Sequence, residues 1–337
     1  MAKDNLALLQ KAAAHMTDML SDGGKLLPEQ STEFFVRMLT GDPHGLLKMV
    51  RTKVITQPEF QVERILFPDI VLQPASEGVA LPEIARSRAD TSMVKITPRL
   101  MAAQMGYTPE FIEDNIEGER FSATMRNGLA ERIAANLADL MINGDTATVV
   151  PDLPANPTLA QKNAYLRARL LKDQDGLRKR AVANTINYQG ARLDRSVFKG
   201  IVQTLPSQYL NGACEFWTST NPVYDYSETL ADKQTPAGDR MQEQSMVMRA
   251  AYRQLGVLGN PLWPNNLGPT EDRTDIVFMN PKNLIVAVRR EVKFEAWYDP
   301  NAGLYNVKAT VRMGMNLEEE GALVKAENIL ASPDIPV

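Results

Sequence analysis

The sequence predicts an α+β fold. Three observations carry this: a long helical stripe over residues 119–142, β-rich runs at 49–67 and 276–279, and a closing pair of strands around a strong turn at 299–303. A chain of 337 residues can bury a sizeable core without disulfides or metals. Its 44% hydrophobic and 23% charged residues match ordinary globular proteins, which excludes a disordered or fibrous chain.

The elements follow in order. Leu6, Leu9, Ala13, Met16 and Leu20 recur at helical spacing until Asp22-Gly23-Gly24 stops them, and a second short helix after Pro28 carries Phe34, Phe35, Met38 and Leu39. Two short helices separated by Gly and Pro bury little apolar surface alone, so they read as an arm that needs a neighbour. Val50, Val54, Ile55, Val62, Ile65 and Leu66 then give the chain β character. Next, Ile70-Val71-Leu72 and Met93-Val94-Lys95-Ile96 bracket a polar stretch with Pro74, Gly78, Pro82, Glu83, Arg86, Arg88 and Asp90. That pattern predicts a projecting hairpin whose tip cannot form its own core.

Thr108-Pro109 has the chemistry of a helix start. The main helix, from Glu119 to Ile142, repeats Phe121, Met125, Leu129, Ile133, Leu137 and Met141 every fourth residue, and Asn143-Gly144 ends it. At 1.5 Å per residue it spans roughly 36 Å and serves as a spine. After an irregular stretch with Pro151, Pro154 and Pro157, a helix is expected over Leu159–Leu171, then a turn at Asp175-Gly176, a β-like run at 181–188, and a helix capped by Asp194 with Val197, Ile201 and Leu205. Residues 213–288 look like an inserted second domain. A helix with Met246, Met248, Tyr252 and Leu255 is expected there, followed by the buried strand Ile276-Val277-Phe278-Met279. Finally, Val292–Tyr298 and Asn306–Met313 flank Asp299-Pro300-Asn301-Ala302-Gly303 as a hairpin.

Chemistry is harder to find. The net charge is −4, with 37 basic residues scattered among 41 acidic ones, so the concentrated basic footprint of tight nucleic-acid binding is missing. Cys214 is the only cysteine, and no run approaches the 20 or so apolar residues of a membrane span. The sequence also lacks a signal-peptide core, which predicts a product that stays in the reducing compartment where it is made. Phosphate-loop, dinucleotide and nucleophile-elbow patterns do not occur. His15 and His44, the only histidines, read as surface residues. Glu318-Glu319-Glu320 reads as a solvated turn rather than a cation site, because hard cations need converging oxygen ligands. Arg178-Lys179-Arg180 could touch phosphates or an acidic neighbour, but reads as a solvated face. Met125, Met141, Met246 and Met248 read as core filling. No catalytic, cofactor-binding or metal residue is expected, and the chain is not expected to be an enzyme.

The order of these pieces resembles the Hong Kong 97-type major capsid proteins of tailed bacteriophages, a fold shared with encapsulins. The resemblance covers residues 62–330. Its residues are Lys95-Ile96-Thr97-Pro98-Arg99-Leu100, Leu140-Met141-Ile142-Asn143-Gly144-Asp145, the run Asp275–Leu284, Arg312-Met313-Gly314, and Gly321–Ile329. It implies an N-terminal arm (1–48), a peripheral domain beginning at 49–66, an extended loop (67–97), the peripheral domain continuing through 98–212 with spine helix 119–142, an axial domain (213–288), and a return to the peripheral domain at 289–337. It further implies self-assembly into pentamers and hexamers of an icosahedral shell that encloses double-stranded DNA without sequence-specific binding. Such a subunit is assembled in the host bacterial cytoplasm, resides in the virion capsid, and has no membrane partner. Scaffolding, portal and decoration proteins are the further partners of such subunits. The helix after Pro157 is an elaboration on the pattern, and the N-terminal region is too short for a large fused scaffold, so either a separate scaffolding protein or none is expected. No cross-linking Lys/Asn pair can be assigned. An encapsulin-type nanocompartment shell is the alternative within this architecture, and an α+β enzyme with an unlisted site is the alternative outside it.

Overall fold

The computed structural model describes residues 45–66, 90–108, 121–231, 249–268, 272–289 and 293–331, with isolated positions at 72, 74, 77, 80 and 83. The expected arm helices with His15 and His44, most of the loop tip, the segment after Thr108, and Met246 and Met248 lie outside the described residues.

Gly45, at φ 68°, a conformation glycine adopts without steric cost, opens the short α1 (Leu46–Met49). Next come β1 (Arg51–Ile55), β2 (Phe60–Leu66), β3 (Asp90–Ile96) and β4 (Arg99–Tyr107). The spine is α2 (Phe121–Asn143), followed by α3 (Leu159–Leu171), α4 (Leu177–Arg180), β5 (Thr185–Asn187) and α5 (Arg195–Thr204). The chain continues through β6 (Glu215–Thr218), α6 (Thr220–Ala231), β7 (Arg249–Tyr252), β8 (Leu255–Gly259) and β9 (Arg273–Met279). It then forms β10 (Leu284–Arg289), β11 (Lys293–Asp299), β12 (Leu304–Leu317) and β13 (Leu323–Leu330). Local chemistry explains the starts. Thr158 and Gln161 form a reciprocal capping box on α3, and the Asp194 carboxylate accepts from the Ser196 and Val197 amides of α5.

These elements build two large sheets. In the five-stranded sheet, β1 runs parallel to β10, β10 is antiparallel to β12, and β4 and β11 flank β12. Val288 of β10 faces Met313 and Lys293 of β11 faces Thr310, so the register along β12 shifts by two between β10 and β11. Asp299 Oδ1 accepts from the Asn301 and Ala302 amides and Gly303 sits at φ 62°, which makes the predicted closing hairpin. The six-stranded sheet has the order β5-β13-β9-β6-β8-β7. Its strands extend beyond residues 213–288, to 185–187 and 323–330, whereas β10 belongs to the other sheet.

The spine helix joins the layers. Leu129, Ile133, Leu137 and Met141 of the predicted stripe are buried, but so are Ala130, Ala134, Ala138, Leu140 and Ile142. The C-terminal half of α2 is therefore enclosed on most sides rather than along one stripe. It packs with Val286, Val288, Val311, Met313 and Met315 in one core. A second core fills the six-stranded unit, where Phe198 of α5 meets Phe216, Tyr226 and Tyr252 at 4.7, 4.9 and 5.2 Å.

Two expectations are corrected. The helix expected to carry Tyr252 and Leu255 is the hairpin β7–β8, with Tyr252 opposite Leu255. Its two-residue turn is Arg253-Gln254, both at positive φ (47° and 72°), in place of the Asn-Gly signal that marks such turns. The partner of Met93–Ile96 is Phe60–Glu63 rather than Ile70–Leu72. Ile70 and Val71 lie outside the described residues, and Leu72 is 92% exposed and in no strand.

Candidate assembly surfaces and the junction beneath them

Strands β2 and β3 form a separate two-stranded ribbon, paired from Phe60 opposite Ile96 to Leu66 opposite Asp90. A ribbon of this kind is marginal in water without a partner. It is rooted on the face of β10 turned away from the spine, where Ile55 and Ile96 bury against Ile285 and Ala287, with Phe60 and Val62 packed alongside. Gly314 permits the approach: a Cβ there would sit 2.9 Å from Ile96 Cγ2 and 3.0 Å from both Pro98 N and Thr97 O. The Asn316 amide donates to Lys95 O at 3.1 Å and pins the same root. Further along the ribbon, Met93 is 49% exposed.

A second outward surface is α3, which has no fully buried residue. Leu159 and Leu166, seven residues apart and so on one face, are both exposed, and Lys162 and Arg169 lie on the same side. Arg167 holds the helix to the spine through Asp139, with Nε and Nη2 at 2.7 and 2.9 Å from its carboxylate.

Beneath these surfaces lies a charged junction. Asp275, at the head of the apolar run in β9, accepts from Arg178 Nε at 3.0 Å and from Trp263 Nε1, and Lys325 Nζ lies 3.8 Å away. Arg178 also donates to Asn143 Oδ1 at 3.0 Å, and Asn143 donates to Leu262 O and Asp139 Oδ1 at 2.7 Å each. One network therefore ties the end of α2, α4, β9 and β13. Its charges are paired and hydrogen-bonded, and they tie the end of the spine and α4 to the six-stranded sheet.

Comparison with known proteins follows this geometry. The Bacillus subtilis (strain 168) protein YqbE, named as a prophage capsid protein, is 28% identical over 326 residues, covering 95% of this chain and 97% of its own. The satellite phage P4 procapsid that includes the size determination (Sid) protein superposes with a TM-score of 0.61 at 10% identity, over 96% of this chain and 99% of its own. The capsid of an empty GTA particle computed with C5 symmetry does so at 0.57 and 15% identity, over 86% and 90%. The chain has the Hong Kong 97-type fold of phage capsid shell proteins. No family model matches it.

In this capsid-type chain the residues singled out from sequence take structural places. Arg178-Lys179-Arg180 is not a solvated face. Arg178 turns inward to Asp275, Arg180 donates to Asp175 O and Asn316 Oδ1 at 2.9 and 2.8 Å, and only Lys179 stays outside, 3.3 Å from Asp145. Burial lowers the Arg180 guanidinium pKa, against the opposing pull of Asp175 and Glu320. Glu318 pairs with Arg51 at 2.8 Å, and the Glu319 amide donates to Asn283 Oδ1 at 2.9 Å. Among the described residues no group of three or more His, Cys, Asp or Glu side chains could hold a metal ion. Cys214 is buried. Asp275 and Trp263 escaped the sequence reading, although an acid heading four consecutive buried apolar residues was the available signal.

Proposed function

We propose that this phage-type capsid protein assembles with copies of itself into the pentamers and hexamers of an icosahedral shell around double-stranded DNA, and that it does so without catalysis. The observation that carries the proposal is the rooted ribbon: its base is fixed by Ile96, Gly314 and Asn316, yet its strands leave the body as a two-stranded sheet that needs a neighbour. In this reading residues 1–48 are the arm, the ribbon is the base of the extended loop of 67–97, the spine and five-stranded sheet form the peripheral domain, and the six-stranded unit forms the axial domain. That last unit includes 185–187 and 323–330 because their strands share its sheet. The GTA capsid with C5 symmetry supports a pentameric setting, and the P4 procapsid with its Sid protein supports an additional assembly partner such as a scaffolding protein. Portal and decoration proteins complete the proposed set. The proposed place of assembly is the host bacterial cytoplasm, with the virion capsid as the final location.

Deletion of residues 75–90 tests this. The deleted chain is expected to stay folded by circular dichroism and to form no closed particles by electron microscopy, while the parent forms particles that protect long double-stranded DNA from nuclease. Normal particles from the deletion refute the role of the extended loop that the ribbon carries. Parent particles that hold protein cargo and no protected DNA favour the encapsulin-type compartment instead.

A further inference from the structure

The six-stranded unit carries a feature that the proposed function does not call on. A cavity of about 520 Å³ lies between the first turns of α5 and the β7–β8 turn. Its wall includes Arg195, Ser196 and Lys199 from α5, Tyr226 from α6, and Tyr252 and Arg253 from the hairpin. Among the described residues three cations line it and no carboxylate does. The two tyrosines are buried, at 2% and 8% exposed, while Arg195, Lys199 and Arg253 are exposed. Arg195 donates a hydrogen bond to the Tyr226 hydroxyl, and the Arg253 guanidinium lies over the Tyr252 ring, 5.8 Å from its centroid.

Among the described residues no acid forms an ion pair with any of these three cations. The nearest acid on α5, Asp194, is committed elsewhere. Its Oδ1 accepts from Ser196 N, Val197 N and Ser196 Oγ at 2.9, 2.9 and 2.7 Å. The cap also occupies two of the free amides of the helix, so any anion must be held by side-chain cations. The turn supports the same reading. Arg253 and Gln254 keep left-handed backbones at 47° and 72°, where Asn-Gly would be relaxed, and this conformation holds a guanidinium at the cavity. In a chain of net charge −4, three positive charges gathered at one cavity, with no ion pair among the described residues and Asp194 the acid beside them, are unexpected on a purely structural surface.

We propose that this cavity binds a phosphate group. Two guanidiniums offer the planar donor forks that match phosphate oxygens, and Lys199 adds a mobile ammonium. The volume suits a small ligand carrying phosphate better than a bare ion, since small-molecule pockets run from about 300 to 1,000 Å³. The phosphate could come from a nucleotide or from nucleic acid, and the proposal does not depend on the shell reading.

Titration calorimetry on the full chain at low salt tests it with three probes: inorganic phosphate, a mononucleotide and a short DNA duplex. At least one is expected to saturate at one site per chain. The double variant Lys199→Gln/Arg253→Asn is expected to weaken that binding about tenfold or more, because Asn tolerates the left-handed turn and the fold is kept. Lys199→Gln alone, at an exposed position, gives a variant whose folding is not in question, and Lys162→Gln on α3 is the unchanged control. Tightest binding of the duplex, with a steep salt dependence, assigns the source to nucleic acid. Tightest binding of the mononucleotide assigns it to a free nucleotide. The proposal is overturned if no probe saturates, if the double variant binds as the parent does, or if an oligoglutamate peptide binds more tightly than every phosphate probe.

Discussion

Gly176→Ala should be among the most damaging single-methyl changes in the protein. Gly176 and Gly144 cross backbone to backbone at the end of the spine, with Gly176 N donating to Gly144 O at 2.8 Å and Gly144 N to Leu140 O at 2.9 Å. A Cβ on Gly176 would stand 2.7 Å from Gly144 N, 2.8 Å from Leu140 O and 2.9 Å from Ile142 O. All three are main-chain atoms of the buried helix end, so relief requires moving backbone rather than turning a side chain. Overpacking of this kind costs about 1–3 kcal/mol. Stretching the Gly176–Gly144 bond, which leaves buried polar groups poorly satisfied, adds about 1–3 kcal/mol. The φ of −86° is open to alanine, so the stiffer unfolded chain returns only about 0.4–1 kcal/mol. The net expectation is a loss of about 2–4 kcal/mol. Gly128 supplies the opposite sign. It lies exposed within α2 with no atom within 4 Å of a built Cβ, so Gly128→Ala should stabilise by about 0.5–1 kcal/mol. Urea unfolding of the unassembled chain, followed by circular dichroism, measures both. The reasoning fails if Gly176→Ala falls within about 0.5 kcal/mol of the parent, or if the two substitutions move the midpoint in the same direction.

Asp275→Ala strips a buried acid from Arg178, Trp263 and Lys325 and should cost about 3–5 kcal/mol in the same urea assay. Phe198→Ala empties the centre of the aromatic cluster and should cost about 3–5 kcal/mol, with loss of near-ultraviolet circular dichroism from its ring partners. Burial would raise the Asp194 carboxyl, but hydrogen bonds from Val197 and Ser196 outweigh it and hold the group below the usual carboxylate range. A carboxyl whose folded pKa is depressed adds stability above its unfolded pKa, near 3.9, and loses it as pH falls through the folded value. Asp194→Ala should therefore cost about 1 kcal/mol at neutral pH, and the gap to the parent should close in unfolding curves taken progressively below about pH 4. Burial likewise pushes the Cys214 thiol up, against a weaker pull from Asn211, so thiol reagents should label it only as fast as the chain unfolds.

Where one local signal decides the structure, sequence reasoning reached it. The capping acid Asp194, the Asp299–Gly303 turn, the α3 span and the helix stop at Asn143 all rest on short-range chemistry. The spine stripe was legible for the same reason, but its full enclosure was not, because Ala130, Ala134 and Ala138 are as compatible with an exposed face as with close packing. Failures came where a local rule is broken or a contact is remote. The β7–β8 turn uses Arg253-Gln254 at positive φ, so nothing marked a reversal, and Tyr252 and Leu255 passed for a helical pair. The inward turn of Arg178 depends on Asp275, 97 residues away, which spacing along the chain cannot reveal. The ribbon was anticipated as a projection, yet its first strand was sought too late in the chain because Phe60–Leu66 alternates as well as any body strand.

The position of β13 between β5 and β9 bears on timing during synthesis. It pairs with residues made up to 140 positions earlier, with Lys325 opposite both Thr185 and Val277. A growing polypeptide on the ribosome therefore leaves a gap inside that sheet until residues 323–330 emerge, and β5 has no strand to join. Translation itself thereby delays completion of that sheet until residues 323–330 have been made.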